Sequence, residues 1–257
     1  MDMKTRPEHI SVGEQDVPRV SGTWPQPMNP SDPQAMLKGV EMPLGFLAPF
    51  SREEIQANHA CLLERNAVHR RFGFDPEASV RFVLEKALPL RGRVLDIGTG
   101  KGRFVVALAR HAANVTTVDV GAAEQHQARL EAAYAGVASR IRFVLHDARF
   151  LPWPAAHFDA VASWNVFHHL DEPGRVFGEM LRVLKPGGKL VVADFSPGGF
   201  RIMDDIHHAE GRRHPHPASR IAHWQARLRS CGFRVNRFCA YNQEILVAAH
   251  QPVTPLP

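Results

Sequence analysis

Cysteine is scarce: Cys61, Cys231 and Cys239 are the only three in 257 residues. An odd number without metal-type spacing excludes a disulfide framework and a zinc ribbon, and it fits a reducing, cytoplasmic setting. Long apolar runs are missing as well. No stretch approaches the roughly 18 apolar residues that a membrane-crossing helix needs, so no membrane partner is expected. Met1 to Ile10 hold no apolar core of the kind a secretory leader carries. Charge of one sign is only mildly in excess, with 31 Lys and Arg against 26 Asp and Glu, a net of +5. The arginines between Arg201 and Arg237 outnumber Asp204, Asp205 and Glu210 enough to carry the equivalent of that whole excess. Such a segment is either a solvated helical surface or a face for an acidic substrate or nucleic acid. What remains, 44% hydrophobic and 22% charged, is ordinary globular usage and excludes a fibrous or wholly disordered chain.

Proline is concentrated rather than rare. Eight of the 20 fall between Pro7 and Pro49, where they remove backbone donors and bias their neighbours toward extended forms. Few apolar residues there offset the entropy of ordering, so residues 1–35 read as a mobile tail. Residues 36–88 read as a helical lid. Ser51-Arg-Glu-Glu54 has the spacing of a capping box, and the helix it opens runs to about Phe72. Asp75-Pro76-Glu77 opens a second helix that ends near Ala87. From residue 93 strands and helices alternate: strand 93–97, helix 103–111, strand 114–120, helix 122–135, strands 141–145 and 158–163, and helix 173–184. Lys185-Pro-Gly-Gly188 stops that helix and strand 189–194 follows. A helical insert (199–217), a helix (218–230) and two strands near 232–239 and 243–250 complete the pattern. Alternation of this kind implies a parallel sheet with helices on both faces, here over residues 89–251.

The turn after the first strand, Gly98-Thr-Gly-Lys-Gly102, is a nucleotide-binding layout, because glycines let a backbone approach a ligand closely. It is one residue shorter than the dinucleotide fingerprint, and Lys101 is misplaced for a phosphate loop. A nucleoside without phosphate fits better. Val94-Leu-Asp-Ile-Gly-Thr-Gly-Lys-Gly102 resembles the first motif of the class I S-adenosylmethionine (SAM)-dependent methyltransferases. The later pieces, Asp119, Asp147-Ala148, Leu151 to Asp159 and Leu184 to Leu190, follow in that family's order. The resemblance implies an α/β, Rossmann-like, doubly wound seven-stranded sheet, mostly parallel with an antiparallel last strand. It implies SAM as cofactor. Asp96 would face the methionine amino group above Gly98, Thr99, Gly100 and Gly102. Asp119 and Val120 would meet the ribose hydroxyls, through charge-assisted bonds to the carboxylate, and Asp147 and Ala148 would meet the adenine. Asn165 is expected beside the cofactor as well.

Methyl transfer from a sulfonium is an in-line displacement that depends on alignment, plus a base where the nucleophile carries a proton. Ser163-Trp-Asn-Val-Phe-His-His-Leu170 lacks the Asn/Asp-Pro-Pro-aromatic pattern of nucleobase amino-methylating enzymes and resembles the small-molecule branch. Trp164 and, from the lid, His59 are the candidate substrate contacts, and His168 is a candidate catalytic residue that equally reads as a packed core histidine. In the insert, His207, Glu210 and His214 fall at i, i+3 and i+7. On one helix they share a face, provided that Gly211 does not break it. Those three admit a solvent-facing role, acid–base catalysis or a metal site; no metal is assigned. The expected partner is a small-molecule methyl acceptor, in a monomer or homodimer. The competing readings are an RNA methyltransferase docking through Arg201–Arg237 and a non-catalytic SAM-binding partner protein. Against RNA stands the lack of an aromatic platform.

Overall fold

A computed structural model describes residues 50–212 and 221–250. The expected tail, the opening of the lid region and His214 lie outside these residues. Helix α1 (Arg52–Arg71) starts at the anticipated capping box: the Ser51 side chain accepts from the Glu54 amide, and the Glu54 carboxylate accepts from the Ser51 amide. Helix α2 (Pro76–Ala87) is capped by Asp75, which accepts from the Glu77 and Ala78 amides. Fixed φ at Pro76 suits its first position. No helix among the described residues is long and apolar enough to cross a membrane.

Strand β1 (Val94–Ile97), helix α3 (Arg103–Ala109), strand β2 (Val115–Asp119), helix α4 (Ala122–Tyr134) and strand β3 (Ile141–Leu145) form the first winding. Strand β4 (Phe158–Trp164), helix α5 (Pro173–Val183) and strand β5 (Leu184–Phe195) wind the other way. Helices α6 (Pro197–Ala209) and α7 (Ile221–Ser230) follow, then strands β6 (Phe233–Ala240) and β7 (Gln243–His250). The seven strands lie in the order β3-β2-β1-β4-β5-β7-β6. β7 is antiparallel to both β5 and β6, and the other pairings are parallel. The expected doubly wound sheet is therefore present. Its order reverses between β1 and β4, the place where ligands sit in such sheets.

Alternating strand residues feed two apolar layers. Val94, Val115, Ile141, Ala160, Val191 and Ile245 pack with α2, α3 and α4, and Leu95, Val118, Val161, Leu190 and Leu246 pack with α5 and α7. Helix α2 thus belongs to the sheet's own cover, with Val83 and Ala87 wholly buried, rather than to a lid. A third, small cluster of Phe74, Phe195, Met203 and Ile206 joins α6 to the α1–α2 turn over the end of β5. Two boundaries depart from expectation. Lys185–Gly188 continue β5 instead of turning, with a register shift against β4 between Phe158 and Ala160. Helix α6 stops at Ala209, because Gly211 adopts φ 70°.

Candidate active site

A cavity of about 600 Å³ opens at the carboxyl ends of β1, β2 and β4. That volume lies within the usual range of small-molecule sites, about 300–1,000 Å³. Its floor is the glycine turn. Gly98, Gly100 and Gly102 all have positive φ, a region costly for residues with a Cβ. At Gly98 an added Cβ would stand 2.2 Å from Val166 Cγ2, and at Gly102 2.9 Å from the Ala128 Cα. The Asp119 carboxylate stitches this turn to the next: Oδ2 accepts from the Gly100 amide and Oδ1 from the Gly121 amide, both at 2.8 Å. Gly98, Thr99, Gly100, Asp119 and Val120 all line the cavity.

Asp96 stands behind the turn, not on the cavity wall. It is wholly buried. Its Oδ2 accepts from Thr117 Oγ1 at 2.7 Å, Thr117 Oγ1 lies 2.7 Å from Thr99 Oγ1, and its Oδ1 has no hydrogen-bond partner. Burial, reinforced by the nearby Asp119 charge, pushes its carboxyl up to about 8. Asp147 and Ala148 do reach the wall. The Asp147 carboxylate, however, is already engaged by the Arg149 backbone amide at 2.8 Å and by its guanidinium Nη2 at 2.7 Å. Burial opposes ionisation there, but Arg149 holds the carboxyl below its ordinary range.

Trp164 and Asn165 line the cavity at the end of β4, and buried Trp164 Nε1 and Asn165 Oδ1 have no hydrogen-bond partner. Unpaired buried polar atoms are costly, so the wall is prepared for a polar ligand. Beyond them the imidazole of His168 meets a carboxylate. His168 Nδ1 lies 2.6 Å from Asp194 Oδ1, and the His168 amide donates to Oδ2 at 3.1 Å. The Phe195 amide donates to Oδ1 at 2.8 Å. Phe195 and Phe200 pack around the ring with centroids at 5.2 and 5.5 Å. With Nδ1–H donating to the carboxylate, Nε2 is the basic nitrogen. Asp194 was not singled out in the sequence, although it ends β5 in the same way that Asp119 ends β2.

Two expected groupings are not assembled. His59 is absent from the cavity wall: its Nδ1 lies 3.0 Å from Glu131 Oε1, and its ring stacks on Tyr134 at 3.6 Å. It fastens α1 to α4. His207 lines the cavity, but Glu210 caps the C-terminus of α6 and pairs with Arg212. The helical face expected for His207, Glu210 and His214 is thus cut at Gly211. Among the described residues no group of three His, Cys, Asp or Glu is arranged to hold a metal ion. Sequence reasoning noted Arg65 and His69 on the first helix but gave them no role, and it named Lys101 and Arg103 only as part of the turn and its helix. All four line the cavity. The i, i+4 spacing of Arg65 and His69 was the available signal.

A family model described as a methyltransferase domain matches residues 95–192, from β1 into β5. That match agrees with the resemblance to the class I SAM-dependent methyltransferases. The domain is 36% identical over 132 residues to the 27-O-demethylrifamycin SV methyltransferase of Amycolatopsis mediterranei, covering 48% of each chain. It is 33% identical over 133 residues to the ubiquinone/menaquinone biosynthesis C-methyltransferase UbiE of Azotobacter vinelandii, covering 50% of this chain and 53% of that protein. The match spans about half the length of these relatives. In fold the methyltransferase domain also resembles phosphoethanolamine N-methyltransferase 2 of Haemonchus contortus, solved with phosphomonomethylethanolamine and S-adenosylhomocysteine. The TM-score is 0.52 at 18% identity, over 67% of this chain and 52% of that one.

Proposed function

We propose that the protein transfers the methyl group of SAM to a small-molecule acceptor, with His168 as general base. The observation that carries this reading is that the Asp194-held imidazole and the glycine turn line one cavity. The residues present fit the cofactor. Gly98, Thr99, Gly100 and Gly102 leave room for its methionine end, with the buried carboxyl of Asp96 behind them. Asp119 and Val120 suit the ribose, Ala148 and the Asp147 backbone suit the adenine edge, and Asn165 Oδ1 and Trp164 Nε1 supply unmet polar capacity. When bound, SAM supplies an electrophilic methyl group and a leaving group that needs no proton.

The protein's own task is then alignment and proton removal. Trp164, stacked on Phe104 with centroids 6.2 Å apart, walls the acceptor in. His168 Nε2 takes the proton from the acceptor's hydroxyl or amine as the new bond to the methyl carbon forms. Asp194 stabilises the imidazolium and keeps the ring oriented. Packing by Phe195, Phe200 and Met203 excludes water from this end.

The test is S-adenosylhomocysteine release from SAM by the purified protein, offered a desalted metabolite extract and, separately, total RNA with an RNase-treated control. Release with metabolites alone is the expected result. Release with RNA that RNase abolishes would overturn the acceptor class. The six described arginines from Arg201 to Arg237 argue against RNA. They are spread over α6, its C-terminal turn, α7 and β6, and Arg212 and Arg237 are paired with Glu210 and Glu244.

A further inference from the structure

Three cations, Arg65, Lys101 and Arg103, line the same end of the cavity, and none makes an ion pair with a carboxylate among the described residues. Arg65 comes from α1, Lys101 from the glycine turn and Arg103 from the start of α3. Arg103 is held by a neutral group: its Nε and Nη2 donate to Asn66 Oδ1 at 3.0 and 2.8 Å, and Asn66 in turn donates to Glu77. The cations repel one another. Lys101 is lowered first by burial and then by Arg65 and Arg103, and Arg103 is held down to about 10 by burial and Arg65. Arg212, also on the wall, adds to the field at Lys101 but has Glu210 as counter-ion. Acidic relief is partial: Glu124 acts on Lys101, and Glu77 and the His59-held Glu131 act on Arg103.

Close to Arg65 and Arg103 sits His69. It is 4% exposed, it lines the cavity, and neither ring nitrogen has a hydrogen-bond partner. Burial and the adjoining Arg103 and Arg65 charges push it down to about 4, so it is neutral, with one N–H to donate. A fold that gathers like charge only partly offset by carboxylates, with an unspent donor, on a concave wall is built to receive negative charge from a ligand.

The cofactor cannot supply all of it. Its single carboxylate sits beside an ammonium and a sulfonium, so the molecule as a whole is cationic. One carboxylate over the glycine turn would engage Lys101 or Arg103 and would leave Arg65, contributed by α1, without a counter-ion. We propose that the methyl acceptor carries an oxyanion, a carboxylate or a phosphate monoester, which docks on Arg65 with His69 beside it. This rests on the methyltransferase reading above and narrows its acceptor to acidic small molecules. Arg65 is then a specificity-determining residue: its planar fork suits both kinds of oxyanion.

The test uses the full chain saturated with S-adenosylhomocysteine, so that the cofactor's own carboxylate is already seated. Benzoate, phenyl phosphate and the neutral isostere benzamide are titrated calorimetrically into wild type and Arg65→Gln. The expected result is about tenfold or greater preference for an oxyanion over benzamide, as a charge-assisted bond provides. Arg65→Gln should abolish that preference while S-adenosylhomocysteine affinity stays within about twofold. The tighter of benzoate and phenyl phosphate identifies the anion. Equal binding of all three probes would overturn the proposal. So would an Arg65→Gln chain that loses S-adenosylhomocysteine affinity yet keeps its oxyanion preference, because Arg65 would then serve the cofactor alone. Failure of the wild type to bind S-adenosylhomocysteine would sink the methyltransferase reading instead. The same titrations on the unloaded chain would then decide the anion site by whether an Arg65-dependent preference persists.

Discussion

Single carboxylates do different work here according to what surrounds them. Asp119 is a brace as well as the proposed ribose contact: both of its oxygens accept backbone amides from the two turns it joins. Asp119→Ala should therefore weaken SAM binding by about 1.5–3 kcal/mol, the cost of losing a hydrogen-bonded charge. Calorimetry on the folded variant measures it, and unchanged affinity would refute the placement of the ribose. His168 is a sharper case. His168→Ala should lower kcat by about 10²–10⁴-fold, the usual contribution of a general base, with SAM affinity within about twofold. A single-turnover assay with saturating acceptor separates the two effects. The proposed role of His168 was half legible in the sequence, because a histidine after the fourth strand admits both packing and catalysis. The deciding residue, Asp194, lies 26 positions away and is brought near only by the pairing of β4 with β5.

At the scale of elements, the glycine turn and the α1–α4 contact carry opposite lessons. The turn was legible because its constraint is local: positive φ at Gly102 requires glycine, whatever lies around it. Gly102→Ala should cost about 1–3 kcal/mol for the left-handed backbone alone, with the close approach of Ala128 adding to it. Urea unfolding reads this directly, and a cost below about 0.5 kcal/mol would be inconsistent with the turn described. Helix α1 was not legible in the same way. Of its 20 residues only Asn66 and His69 are buried, so no apolar stripe marks which side faces the domain. His59 was accordingly assigned to the pocket, whereas Arg65 and His69, on another side of the same helix, line it. His59→Ala should lower stability by about 1–2 kcal/mol through the lost Glu131 hydrogen bond and leave the acceptor KM unchanged. A raised KM at full stability would restore His59 to the site.

For the molecule as a whole, two buried groups contribute to how stability varies with pH, and their signs differ. His69 sits at about 4 in the folded chain against an ordinary 6.5. Between those values the unfolded chain holds more protons, so stability rises with pH across them and is lost as pH falls toward 4. Asp96 sits at about 8 against an ordinary 3.8. There the folded chain holds the extra proton, so its contribution is complete below 3.8 and declines as pH rises to 8. Below 6.5 the two oppose each other, and from 6.5 to 8 Asp96 acts without His69. The melting temperature of the ligand-free protein should fall over that interval, and Asp96→Asn should flatten the fall, which can reach about 1.4 kcal/mol per pH unit. Parallel slopes for wild type and variant would show that Asp96 is ionised. The global fold was legible because alternating strands and helices leave few ways to wind a parallel sheet. The cationic wall was not, because Arg65 lies on a helix well before Lys101 and Arg103 in the sequence and no single stretch displays all three.

The strand order also says something about how the chain is made. β6 bonds only to β7, and β7 is seated between β5 and β6. Until residue 243 and its successors have left the ribosome, β6 has no neighbour in the sheet and β5 presents a bare edge. Synthesis therefore finishes the cavity wall well before it finishes the sheet. The last strand enters as a wedge between two segments already made, and the nascent chain has until then an open edge for a chaperone to cover.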